Sequence, residues 1–473
     1  MNIYGIEFKN IKTNSKEVKK GDIFVAIKGV HFDGHNFVKE AFERGAVLAI
    51  VEKINEGMDN GKIIKVDDTR EELSKISAKF YGYPSDKMKV VGITGTNGKT
   101  TTCFLIDKIL SDAGNKTGVV GTIYYKIGRK KIEADRTTPD ALMLNNFLHD
   151  MAEGKTDYVV MEVSSHSLEQ KRVKDVYFDA AVFMNITPEH LDYHKTIDSY
   201  FEAKAKIFDN LKESGCAVLN NDDPRSKFLK ERIKKSVVTF GIENKADIMA
   251  KDIKTDMKGS EFIVSTPKGE YKIKTHIFGL HNVSNILAAY AVSYAFNLDL
   301  EKVRKSINKF KHVPGRMESI KCGQGFLIFV DFAHTEDALR KTLTSIKPYA
   351  KKRIISVFGC GGERDRTKRP RMGMLSAEIA DYTIITSDNP RNESAEFIAK
   401  EIEEGVKQKT KNYEVILDRE KAIERALDIA EKGDIILIAG KGHENTQIVG
   451  DKSFKFNDGD VVRKILKKKL KNK

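Results

Sequence analysis

The chain runs to 473 residues, room for about three domains of ordinary size. Hydrophobic residues at 40% and charged residues at 32% exclude a disordered or membrane-embedded protein. The net charge of +14 permits anionic ligands, but the basic residues lack the aromatic interleaving or helix-turn-helix pattern of a nucleic-acid binder.

In chain order, residues 1–20 lack the apolar core of a signal peptide. Residues 1–86 form a first unit, with short strands expected at 22–27, 46–51 and 63–66 and a helix over 69–81. Gly82-Tyr83-Pro84-Ser85 reads as a linker. Residues 87–312 form a second unit. Strand candidates at 117–123, 158–163, 180–186, 216–220 and 237–240 alternate with helical patterns at 100–113, 139–151 and 199–211, the mark of a mostly parallel sheet covered by helices. Residues 247–276 alternate apolar and polar side chains, so a small antiparallel excursion is expected, followed by a helix over 282–296. Its apolar stretch 286–296 is too short to span a bilayer and reads as a buried helix. Residues 313–473 repeat the doubly wound logic, with strands at 326–331, 354–358, 382–386, 415–417 and 434–439. The lysine run at 467–473 reads as a solvated tail. Cys103, Cys216, Cys322 and Cys360 are too far apart for a Cys-x-x-Cys zinc site or a disulfide framework and fit a reducing cytoplasm.

The sharpest signal opens the second unit. An apolar run ends in Gly95-Thr96-Asn97-Gly98-Lys99-Thr100-Thr101, a glycine-bracketed loop leading into a helix. Such a loop closes backbone N–H groups around phosphate oxygens, and the helix N-terminus favours the anion. Lys99 can reach terminal phosphates and Thr100 is placed for magnesium, although Ile93 stands where an ordinary P-loop has its first glycine. The loop points to ATP.

Further polar groups fall at expected strand ends, where open parallel sheets bind ligands. Glu162 ends one strand as a natural magnesium ligand, followed by Ser164-Ser165-His166. His190 and His194 follow another, with oxygen-bearing neighbours in place of zinc-type thiols. In the third unit Asp331-Phe332-Ala333-His334, the glycine loop Gly359 to Arg366, Asp388-Asn389-Pro390-Arg391 and Gly440-Lys441-Gly442-His443-Glu444 each close a strand. Arg364 and Arg391 could hold carboxylates, and Asp388 and Glu444 an ammonium group. That combination suits a zwitterionic ligand; loop salt bridges are the plainer reading of the same residues. Lys204, by pattern, is an ordinary surface lysine of an amphipathic helix.

Taken together, the phosphate loop, Met161 to His166, His190, Asp331 to His334, Gly359 to Arg366, Asp388 to Arg391 and Gly440 to Glu444 resemble the Mur ligases over nearly the whole chain. These are ATP-dependent amide-bond synthetases of peptidoglycan assembly. The likeness is nearest to the MurE branch, which adds the third residue to UDP-N-acetylmuramoyl-L-alanyl-D-glutamate. The resemblance implies an α/β protein of three domains: a small N-terminal α/β UDP-binding domain, a central P-loop parallel-sheet ATPase domain and a C-terminal Rossmann-like domain. It implies that Lys204 is carbamylated and joins Thr100, Glu162 and His190 around magnesium. Asn282, Arg316 and Asp331 match positions around the nucleotide, together with the loop residues from Gly95 to Thr101. Thr137, Thr138, Ser164, Gln170 and Arg172 match the grip on the muramoyl-dipeptide, and Ser15 and His31 the uridine-diphosphate end. There, Thr13-Asn14-Ser15-Lys16 stands where the family usually has Asp-Ser-Arg. Arg364, Asp388, Asn389, Arg391, Gly440 and Glu444 match the amino-acid pocket.

The tetrad ending in Arg391 resembles the form that accepts meso-diaminopimelate, because its arginine can meet a second carboxylate that lysine lacks. His334-Thr335-Glu336-Asp337 departs from the more common His-Thr-Pro-Asp, which implies a local change in helix entry. The reaction implied is activation of the D-glutamyl γ-carboxylate as an acyl phosphate, then attack by the amino acid, with Lys99 neutralising phosphoryl charge. A monomeric cytoplasmic enzyme is expected, with no nucleic-acid or membrane partner. The alternatives are an L-lysine-adding ligase on the same scaffold, a polyglutamate synthetase, or a nucleotide-binding relative that has lost catalysis.

Overall fold

Three mostly parallel sheets, joined in chain order, carry the site. The computed structural model describes residues 2–29, 32–54 and 62–471. The first sheet pairs Ile11–Lys12, Ile23–Val25, Leu48–Val51 and Ile63–Lys65 in that order, all parallel. Its central strands are apolar throughout because both faces are covered: Ile23, Val25, Leu48 and Ile50 pack on one side, Phe24, Ala49 and Val51 on the other. Helix Thr69–Phe80 starts where the Asp68 side chain accepts from the N–H groups of Arg70 and Glu71.

In the central sheet, Tyr158–Glu162 lies between Thr117–Val120 and Lys89–Thr94. Phe178–Phe183, Leu211–Asn220 and Ser236–Gly241 extend it, still parallel. Helices Lys99–Asp112 and Leu280–Ala295 cover one face, and the second is buried along most of its length from Asn282 to Ser293. The expected antiparallel excursion is present as Ile248–Asp256, Gly259–Thr266 and Gly269–Thr275.

The third sheet runs Glu318–Ser319, Leu327–Asp331, Ile435–Ala439, Ile354–Phe358, Tyr382–Ile385 and Tyr413–Val415, parallel except for the first. This order sets the carboxyl ends of four strands side by side, so that Asp331, Gly359, Asp388 and Gly440 emerge along one edge.

Four local expectations are corrected. The run 117–123 is not one strand: it stops at Val120, and the chain returns as the hairpin Tyr124–Ile127 with Lys130–Glu133, turned at Gly128 with φ 58°. The helix expected to reach residue 211 ends at Ala205, passes through a 3₁₀ turn at Lys206–Asn210, and Leu211 already begins a strand. The lysine-rich end keeps Lys467 and Lys468 exposed, as expected, but it is helical as far as residue 471 and not a tail. It completes helix Asp458–Lys471, whose Val461, Val462, Ile465 and Leu466 are buried, while Lys469 pairs with Asp428. Helical periodicity, not the charge run, decides that segment. Lys204, finally, is not a surface lysine: it is 1% exposed.

The third sheet is braced from behind by Arg419 and Asp458, whose side chains are both 0% exposed. Arg419 Nε and Nη2 donate to the two Asp458 oxygens at 2.7 and 2.8 Å, and Nη2 also reaches the Ala439 carbonyl at 2.9 Å. Removing one partner strands a buried charge, at a cost of about 3–5 kcal/mol. Arg419→Ala is therefore predicted to lower the urea stability of the C-terminal domain by about that amount, with Arg419→Met/Asp458→Leu recovering most of it. A loss below about 1 kcal/mol would put the brace in doubt.

Candidate active site

Strand Lys89–Thr94 ends at the phosphate loop. Gly98 sits in the left-handed region at φ 90° and opens helix Lys99–Asp112 without a side-chain cap. Gly95 has φ 149°, and a Cβ there would lie 2.7 Å from Met184 Cβ, so the close approach requires glycine. Asn185 staples the loop: its Oδ1 accepts from Asn97 N at 2.9 Å and its carbonyl from Thr96 N at 2.9 Å. The helix N-terminus thus opens into a cavity of about 430 Å³, lined by residues 96–101 together with Asn282, Arg316 and Asp331.

Two lysines converge beneath this loop. Lys99 Nζ donates to the carbonyls of Gly95 and Thr96 at 2.8 and 3.0 Å, and Lys204 Nζ donates to the same Gly95 carbonyl at 2.9 Å. Burial lowers the Lys99 pKa, opposed by Glu189 and Glu162. For Lys204, burial first and Lys99 second push the pKa well below the usual lysine value. Its ammonium lies over the Tyr200 ring, 4.5 Å from the centroid.

Glu162 is fully buried at the end of its strand. Thr100 Oγ1 donates to its Oε2 at 2.9 Å, Thr122 Oγ1 to the same oxygen at 3.0 Å, and Thr122 N to Oε1 at 2.8 Å. From the third domain, Arg316 Nη2 reaches Thr100 Oγ1 at 3.3 Å, and its Nε is buried without a hydrogen-bond partner among the described residues. His190 takes the left-handed conformation at φ 56°, and its ring packs edge-on against His166, centroids 4.7 Å apart. Glu189 lies 3.9 Å from His190; although burial raises its pKa, His190 and Lys99 hold the carboxyl below its ordinary value. Among the described residues no group of three or more His, Cys, Asp or Glu forms a metal cage. The donor set of one hydroxyl, one carboxylate, one imidazole and one modifiable amine instead suits a cation that keeps water and phosphate oxygens in its shell.

Asp331 accepts from the N–H groups of Met317 and Ala333 at 2.7 and 2.8 Å, and burial raises its pKa. Asn282 is anchored by Nδ2 to the Phe278 carbonyl at 2.9 Å. Asp337, in the first turn of helix Glu336–Ile346, takes bonds from Asn97 Nδ2 at 3.0 Å and Thr187 Oγ1 at 3.2 Å. Helix entry at the departing Thr335-Glu336-Asp337 is set by Thr335, whose side chain accepts from Ala338 N.

A second cavity of about 960 Å³ shares Thr122, Thr137, Glu189, His190 and Phe332 with the first, so the two adjoin. Arg364, Asp388, Asn389, Arg391, Gly440 and Glu444 line its far end. Arg391, at φ 54°, donates from Nη1 to the Gly362 carbonyl at 2.7 Å. Its backbone is clasped by the hairpin Thr446–Val449 with Lys452–Lys455, through Arg391 N to Ile448 O and Gly450 N to Arg391 O. The residue-level reading missed this hairpin, which lies after the last strand of the parallel alternation. It also passed over Lys441, buried between Asn389 and Glu444, whose burial within a glycine-rich turn leaves no periodic signal.

Thr137, which bonds Thr122 through their hydroxyls at 3.1 Å, lines both cavities. The other dipeptide candidates form one linked group outside the two cavity linings. Arg172 donates to the Thr138 carbonyl and to Gln170 Oε1 at 2.8 and 2.6 Å, and the Thr138 hydroxyl donates to the Glu162 carbonyl at 2.9 Å. Ser164 N donates in turn to the Thr138 hydroxyl at 3.2 Å. Ser15 lies in the first domain, apart from both cavity linings. It is buried, and its hydroxyl is spent on Glu40 at 2.8 Å. His31 lies outside the described residues.

Three family descriptions match in succession: "Mur ligase family, catalytic domain" over residues 7–81, "Mur ligase middle domain" over 93–293 and "Mur ligase, glutamate ligase domain" over 315–442. The chain belongs to the Mur ligase family. Among its relatives, "UDP-N-acetylmuramoyl-L-alanyl-D-glutamate--2,6-diaminopimelate ligase 1" of Clostridium acetobutylicum is 41% identical over 464 residues, 98% of this chain and 95% of the relative. The diaminopimelate ligase of Aquifex aeolicus is 43% identical over 458 residues, 97% and 93% of the two chains. A solved structure titled "Structure of UDP-N-acetylmuramoyl-L-alanyl-D-glutamate--2, 6-diaminopimelate ligase" superposes with a TM-score of 0.69 at 32% identity, covering 98% of this chain and 95% of the other. The three-domain α/β architecture is that of the family. Among the described residues no helix is long and apolar enough to cross a membrane.

Proposed function

We propose that the chain is an ATP-dependent ligase that joins meso-diaminopimelate to the D-glutamyl γ-carboxylate of UDP-N-acetylmuramoyl-L-alanyl-D-glutamate, in the cytoplasmic assembly of peptidoglycan precursor. The observation that carries the reading is a phosphate-loop cavity that adjoins a larger one lined by charges of both signs, Arg391 and Arg364 against Asp388 and Glu444. Relatives of that name at 41% and 43% identity over nearly the full length support the same substrates. Residues 1–86, 87–312 and 313–473 serve as the units for the uridine-diphosphate end, the nucleotide and the amino acid.

The γ-carboxylate oxygen attacks the γ-phosphorus of ATP; the O–P bond forms as the bond to the β-phosphate oxygen breaks, giving an acyl phosphate and ADP. Lys99, held at the mouth of the helix, moves from the Gly95 and Thr96 carbonyls to the phosphoryl oxygens and offsets their charge. Arg316, bonded to Thr100 from the third domain, completes the loop only when that domain is docked. The amine of diaminopimelate, oriented by Glu444, Asp388 and Arg391, then attacks the activated carbonyl, loses a proton and expels phosphate. Docking also excludes water, which would hydrolyse the acyl phosphate.

Magnesium would be held by Thr100, Glu162, His190 and carbamylated Lys204, and when bound it supplies charge neutralisation at the phosphates. The residues fit this role. Glu162 faces Thr100 at hydrogen-bond distance, and Lys204 is a buried amine whose neutral form is favoured. A neutral amine adds to carbon dioxide with loss of a proton and becomes an anionic oxygen ligand. Among the described residues Lys204 has no carboxylate hydrogen-bond partner of its own, a costly arrangement for a permanent ammonium.

Two outcomes follow. Lys204→Ala should lose about 100-fold or more in kcat, whereas the wild type should gain activity with added bicarbonate after dialysis against a carbon-dioxide-free buffer. Full activity of the variant at every bicarbonate level would remove the carbamate. Arg391→Ala should raise KM for meso-diaminopimelate about tenfold or more, with KM for ATP nearly unchanged. An equal rise in both constants would detach Arg391 from the amino-acid pocket.

A further inference from the structure

The polar groups at the amino-acid end are bonded to one another, and one buried cation decides how. Lys441 has a fully buried side chain and does not line the cavity. Its Nζ donates to Glu444 Oε2 at 2.8 Å and to Asn389 Oδ1 at 3.0 Å. Asn389, 5% exposed, closes the triangle: Nδ2 donates to the same Glu444 oxygen at 2.8 Å, and Oδ1 also accepts from Ile448 N at 3.0 Å.

An ammonium group donates and never accepts, so it forces Asn389 to turn its oxygen inward. The Asn389 nitrogen is then the end that meets Glu444. Both bonds to Glu444 fall on Oε2, which keeps Oε1 for the cavity that this residue lines. Without the cation, the amide loses one of the two donors that define its orientation. In the reversed orientation its oxygen would face the carboxylate and turn it away. We infer that Lys441 is a positioning residue for amino-acid specificity: it fixes the Asn389 amide and presents Glu444 Oε1 to the ammonium group of the incoming diamino acid.

The inference rests on the ligase reading above and deepens it. The test measures phosphate release by the full-length wild type, Lys441→Met, Glu444→Gln and the double variant. Meso-diaminopimelate, ATP and the muramoyl-dipeptide are titrated separately, and folding is checked by thermal melting. Lys441→Met should raise KM for diaminopimelate about tenfold, with the other two KM values within about twofold and the melt preserved. Because Lys441 acts through Glu444, the double variant should be no worse than Glu444→Gln alone. An unchanged diaminopimelate KM, a parallel rise in all three constants, or independent losses in the double variant would each overturn the inference. Should Lys441→Met fail to fold, Lys441→Gln takes its place under the same criteria. A wild type that releases no phosphate with diaminopimelate would overturn the ligase reading and this inference together. An active wild type with an unaffected Lys441→Met overturns the inference alone.

Discussion

Two lysine side chains bonded to one backbone carbonyl set the terms for the centre of this molecule. Lys99 and Lys204 both reach Gly95 O, in a buried space where two adjacent ammonium groups repel and neither is well solvated. The repulsion and burial fall hardest on Lys204, whose neutral amine they favour, as the proposed carbamate requires. Glycine at 95 makes the arrangement possible, since any side chain there would strike Met184. The phosphate loop and the helix that carries Lys204 meet at that carbonyl.

The chemistry brings two anions together, a triphosphate and a carboxylate, and then protects a hydrolysable acyl phosphate. A single domain would expose that intermediate. Here the third domain reaches the phosphate loop through Arg316 on Thr100 and Asp337 on Asn97, and the cavity proposed for the amino acid adjoins the one at the loop. Behind the pocket, Arg419 ties the turn after Ile435–Ala439 to helix Asp458–Lys471 and to the Ser387 carbonyl just before Asp388. The pocket is thus braced from behind by a buried ion pair.

Much of this was legible in the residues. The glycine loop announces itself because only glycine tolerates its backbone, and strand-end polar motifs are readable because an open parallel sheet gathers them along one edge. The resemblance then supplied what pattern could not, above all Lys204. Its helix is amphipathic in the ordinary way, and its burial comes from packing against a loop more than one hundred residues earlier. Lys441 and the hairpin that clasps Arg391 escaped for a related reason: their roles arise from contacts across some 50 residues of chain, not from local periodicity. The terminal lysines misled in the opposite direction, since their charge masked a helix anchored by Val462 and Ile465.

The most direct measurement of the central claim is phosphate release from ATP in the presence of UDP-N-acetylmuramoyl-L-alanyl-D-glutamate, comparing meso-diaminopimelate with L-lysine. The account predicts release that depends on the dipeptide and strongly prefers diaminopimelate. Preference for L-lysine would contradict the role given to Arg391, and no release with either amino acid would contradict the ligase reaction itself.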